Sequence, residues 1–134
     1  MNTEDLDIFQ TAEEIDHFWA LIDLARADWD AFAAELRTLD GRFLIRFGWT
    51  FEELAGDVWT ALEESGFAHF KGSVSEDALE DICGWVVAQG FDVLDRSILD
   101  PTLIPEWPKG VGISVKYEAA TAYHERFGEE PPAY

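Results

Sequence analysis

Glu76, Asp77, Glu80 and Asp81 set four carboxylates close together in the stretch SVSEDALEDICGWVVAQG, residues 73 to 90. On a helix they fall within two turns, a density that could ligate a hard cation or clamp the arginine and lysine side chains of a partner. A calcium loop needs a glycine and a ligand spacing that this stretch lacks. Acids in a first helical turn are also favoured by the free amides and the helix dipole, whatever their function. Glu76 with Glu80, and Asp77 with Asp81, form like-charged i,i+4 pairs that each cost roughly a few tenths of a kcal/mol. The cluster thus reads either as a solvated helix face or as a surface for cations.

Other residue types capable of chemistry are sparse. His17, His69 and His124 share no helical turn, and HERFG at His124 is not the H-E-x-x-H zinc pattern. Cys83 is the single cysteine, so neither an intrachain disulfide nor a cysteine-built zinc site can form. It borders the apolar stripe of its helix and reads as a small core residue, with no base or oxyanion donor to make it a nucleophile. GVGIS, residues 110 to 114, precedes a helix but lacks the Gly-Lys-Ser/Thr ending of a phosphate loop, and reads as a turn. No metal or cofactor is expected. Among six tryptophans, Trp19, Trp49, Trp59 and Trp85 fall in or beside helices and read as core, with ring N–H groups that seek carbonyls. Trp107, between Pro105 and Pro108, either pins its loop or anchors an interface.

The totals narrow the partner. Against 28 Asp and Glu stand 9 Lys and Arg, a formal net charge of -19. Nucleic acid and anionic lipid need clusters of cations, and none exists here. A basic partner, in contrast, would be steered in by the same field. With 134 residues, 48% of them hydrophobic, the chain is the size of one domain with ample core material. No signal peptide or membrane-spanning run is visible, which points to the cytoplasm.

The elements that must position these residues read as helices. Thr11 and Glu14 form a capping box ahead of a helix from about Ala12 to Arg26, with Ile15, Phe18, Trp19 and Ile22 at helical spacing. Asp28 caps a second, with Trp29, Phe32, Ala33 and Leu36 inward and a break near Gly41. Phe43, Leu44 and Phe47 suggest a short helix pausing at Gly48, after which Thr50 and Glu53 form another capping box. That next helix runs to about Ser65, and its Gly56 costs about 1 kcal/mol unless a neighbouring helix needs the close approach. Ser73 with Glu76, or Ser75 alone, caps the acidic helix, whose inner face is Leu79, Ile82, Val86 and Val87 and whose end is Gly90. FDVLDRSILD forms a further short helix, and the last runs from about Ser114 to Phe127 before Gly128. No stretch alternates with period two long enough for a strand. The expectation is one all-α domain of five to seven helices over residues 1–134, with 1–10 a flexible tail and 100–112 irregular.

FWALIDLAR (Phe18 to Arg26), SEDALEDICGWVVAQG (Ser75 to Gly90) and the closing AYHERFGEEPP together resemble a bacterial family known only as a domain of unknown function. Its members open with an F-W-x-L-I helix and carry a serine-plus-acids cap before an aromatic W-L-I-x-x-G helix. The resemblance spans roughly residues 12 to 132 and implies a helical domain with no established activity. Members often carry cysteine where this chain has Val74, and arginine where it has Cys83.

Two classes of function follow. The first is a non-enzymatic acidic module that captures a basic protein, as immunity proteins and antitoxins do. Its binding residues would be Glu76, Asp77, Glu80, Asp81 and Trp107, with Glu63 and Glu64 alongside. The second is a helical enzyme or ligand-binding domain using His69 or His124 with Asp77. The first is preferred, because small size, strong acidity and many aromatics suit it and no catalytic set is recognisable.

Overall fold

In the computed structural model, which describes residues 3–65, 74–105 and 108–134, Thr11 opens the first helix as its capping box requires. Thr11 Oγ1 accepts from the Glu14 amide at 3.2 Å, and Glu14 Oε1 accepts from the Thr11 amide at 3.1 Å. Helix α1 (Ala12–Ala27) then buries Phe18, Leu21, Ile22 and Ala25. Asp28 both ends α1 and starts α2 (Trp29–Leu36): its N–H donates to Leu24 O at 2.8 Å, while its carboxylate accepts from the Ala31 amide at 3.1 Å.

The two helices expected on either side of Gly48 are one. Helix α3 (Gly41–Glu64) is capped by Asp40, whose Oδ1 accepts from the Phe43 amide at 2.8 Å, and it runs unbroken through both Gly48 and Gly56. A glycine costs a helix about 1 kcal/mol. Burying Phe47, Phe51, Val58 and Leu62 on one face outweighs that, since packing rather than propensity stabilises most helices in proteins. Thr50 therefore caps nothing. It is buried inside α3, and its Oγ1 accepts the Phe9 amide at 2.9 Å.

That bond belongs to a larger attachment of residues 3–10, which were expected to form a flexible tail. Phe9 is buried, and Arg46 Nε donates to Asp7 O at 2.8 Å with its guanidinium 5.0 Å from the Phe9 ring. Arg46 Nη1 also pairs with Glu14 Oε2 at 2.6 Å, so one α3 side chain holds both the segment and the start of α1.

Helix α4 (Glu76–Ala88) is capped by Ser75, whose Oγ accepts from the Ala78 amide at 3.2 Å. Leu79, Ile82, Val86 and Val87 form its buried face as the spacing predicts. Ser73, the alternative cap, lies outside the described residues. Gly90, at φ 104°, turns the chain directly into α5 (Phe91–Leu99); that left-handed backbone suits glycine. A 3-10 turn, Pro101–Leu103, interrupts the irregular segment before α6 (Ser114–Phe127), which ends at the left-handed Gly128. Helices α4, α5 and α6 all pack on α3, while α2 joins α1 to α6. Among the described residues there are six α-helices and no strand: an all-α fold.

Two expectations follow. Thr50→Val removes the acceptor for a buried amide and should destabilise the fold by about 1–3 kcal/mol, whereas Thr50→Ser should not; denaturant midpoints at constant m-value measure both. Glu14 accepts the Arg46 guanidinium and two backbone amides, which together hold its carboxyl down at about 2 against 4.5 ordinarily. A depressed carboxyl binds its proton more tightly in the unfolded chain, so its contribution is complete above about pH 4.5 and vanishes as the pH falls to about 2. Glu14→Gln should flatten melting temperature against pH within that window and lower it above.

Candidate functional site

The acidic face of α4 is built by its cap. Once Ser75 fixes the helix start, Glu76 and Asp77 occupy the first turn and Glu80 and Asp81 the second, opposite the buried stripe. All four are exposed, and among the described residues none of their carboxylates takes part in a hydrogen bond or an ion pair. Glu63 and Glu64, at the end of α3, are exposed as well.

Glu80 differs from its neighbours in lining a cleft. Helix α4 supplies Glu80 and Cys83; α3 supplies Phe51, Glu52, Ala55, Gly56 and Trp59; the start of α6 supplies Ile113 and Lys116. The cleft holds about 190 Å³. Lys116 Nζ pairs with Glu52 Oε1 across it. Close packing fixes the walls: a Cβ on Gly84 would lie 2.9 Å from Ile113 Cβ, so only glycine lets α4 approach the entry to α6 this closely. The GVGIS stretch is a turn pinned to α4, with Trp85 Nε1 donating to Lys109 O at 2.8 Å and Gln89 Nε2 to Val111 O at 2.7 Å.

Gly56 matters here for a different reason from the one expected. No helix approaches it, and a Cβ at that position would meet nothing within 4 Å. Its cost of about 1 kcal/mol to α3 is matched by no packing gain; what the missing side chain leaves is open backbone on the cleft wall. In the sequence, the Glu80 carboxylate and a helix-interior glycine were the signals that fall at this site. Glu52, Lys116 and Trp59 gave none, because their convergence depends on how α6 lies across α3.

Cys83 is 2% exposed, and burial, reinforced by the Glu80 charge, pushes its thiol up to about 12. It is a core residue. The two described histidines do not come together: His17 packs 4.7 Å from the Phe43 ring, and His124 Nδ1 lies 3.4 Å from Glu130 rather than with Asp77. No group of three His, Cys, Asp or Glu among the described residues could hold a metal ion. His69 and Trp107 lie outside the described residues. Trp49 Nε1 does find a carbonyl, that of Pro132 at 2.9 Å. No described helix is long and apolar enough to cross a membrane.

The family model for DUF4240, a protein of unknown function, matches residues 14–125. The chain belongs to that family. No curated protein and no solved structure matches it. The DUF4240 match takes in both the α4 face and the cleft, and stops short of residues 126–134.

The burial of Cys83 sets a kinetic expectation. With so little thiolate, its modification by a disulfide reagent at about pH 8 should be far slower than that of a free thiol and should track unfolding. Rapid native-state labelling would place Cys83 at an accessible reactive site instead.

Proposed function

We propose that this DUF4240 protein is a non-enzymatic acidic binding module that captures a basic protein partner, in the manner of an immunity protein or antitoxin, through the α4 face. One observation carries the reading: the side chains of Glu76, Asp77, Glu80 and Asp81 are exposed and uncompensated, while five of the scarce cations among the described residues are occupied elsewhere. Arg37, Arg42, Arg46 and Lys116 are each held by a carboxylate, and Arg126 by the Leu39 and Arg37 carbonyls. The face costs helix stability through like-charge pairs, and a cationic partner would reverse that cost. Uncompensated surface charge acts chiefly on encounter, raising the association rate with a partner of opposite sign. Trp107 remains the proposed aromatic anchor, and the cytoplasm the proposed compartment.

Replacing the four acids together (Glu76→Gln, Asp77→Asn, Glu80→Gln, Asp81→Asn) should leave the melting temperature unchanged or slightly higher. The same variant should associate more slowly with the partner, recovered by low-salt pull-down from the native host, and with weaker salt dependence. An unfolded variant would show that the acids hold structure. A melting temperature raised by divalent metal, or a measured turnover, would favour a ligand-binding or enzymatic role.

A further inference from the structure

We propose that the cleft between α3, α4 and α6 receives one arginine side chain of the basic partner, its guanidinium on the Glu80 carboxylate and its aliphatic stem over Gly56 and Trp59. The inference rests on the partner-capture reading of the α4 face and names what the cleft beside it recognises.

Size, charge and shape point to this occupant. Sites for cofactors and other small molecules usually measure roughly 300–1,000 Å³; at about 190 Å³ this cleft suits a single long side chain. Its charged lining is two carboxylates and one ammonium, and Glu52 already neutralises Lys116. Glu80 is left as the uncompensated charge, so the cleft calls for a cation. Phe51, Ala55 and Ile113 give it apolar walls against which methylenes can lie. Arginine fits better than lysine: its planar, weakly hydrated guanidinium can take a carboxylate in two parallel hydrogen bonds and stack on an aromatic ring. Gly56 completes the fit, since a partner's side chain can approach the α3 backbone where any other residue would project.

Residue-resolved amide NMR with an acetylated hexa-arginine peptide tests this, with the isosteric hexa-citrulline peptide as the uncharged comparison. Saturable shifts are expected at the Gly56 and Cys83 amides and the Trp59 indole, together with shifts at Asp77 and Asp81, and none with citrulline. Glu80→Gln should weaken the cleft response about tenfold, as loss of one charge-assisted bond implies. Gly56→Leu should fill the cleft and abolish its response while Asp77 and Asp81 still shift. Should that variant fail to fold, Glu80→Gln, an exposed isosteric change, decides alone. Shifts confined to Asp77 and Asp81, or a cleft response to citrulline of equal size, would overturn the arginine pocket and leave the acidic face intact. No response at either place would overturn both.

Discussion

Everything in this fold leans on one apolar helix face. Phe47 of α3 is fully buried, with its ring centroid 5.0 Å from that of Phe18 on α1 and 6.3 Å from that of Phe32 on α2. Further along, Phe51, Val58 and Leu62 form the surface on which α4, α5 and α6 pack. Removing those side chains from water is the dominant favourable term. It is large enough to hold two glycines inside a 24-residue helix, and it leaves those glycines on the outer side of α3, where they shape surface rather than core.

The charge imbalance imposes a second order. Cations are few, and five of those described sit at joints between elements: Arg37, Arg42, Arg46, Lys116 and Arg126. Arg37 reaches from the end of α2 to Glu118 at 2.9 Å and Glu125 at 2.8 Å on α6, and these hydrogen bonds, Glu125 foremost, raise its already high pKa. Arg126 returns the connection to the carbonyls of Arg37 and Leu39. Arg46 fastens the segment before α1, and Lys116 fastens α6 to α3. Exposed pairs of this kind add little stability singly; their effect is to fix where helices meet. Of the carboxylates left without partners, four lie together on α4, beside a cleft whose floor and walls come from α3, α4 and the start of α6.

Much of this was legible in the chain. Caps, stop signals and apolar periods located α1, α4, α6 and the start of α2 to within a residue or two, because they are local properties of a few neighbouring side chains; α2 ends at Leu36, short of the break expected near Gly41. The same local logic misplaced a boundary at Gly48 and Thr50. Threonine followed by glutamate three residues later looks like a helix start whether or not a helix already precedes it; here Oγ1 of Thr50 was taken by Phe9, 41 positions away. Phe9 itself gave no local sign of burial.

The sequence by itself determined the all-helical class, the acidic face of α4, the buried stripe beneath it and the place of Cys83 beside that stripe. Each depends on period, capping or net charge, which survive any arrangement of the helices. Only the tertiary structure decided that α3 is continuous, that residues 3–10 are fastened by Arg46 and Thr50, and that Glu80 alone among the four acids borders a cleft with Trp59, Gly56 and the Lys116–Glu52 pair. Those facts depend on distances between residues far apart in the chain. They are set by how the apolar faces fit together, not by any pattern along one helix.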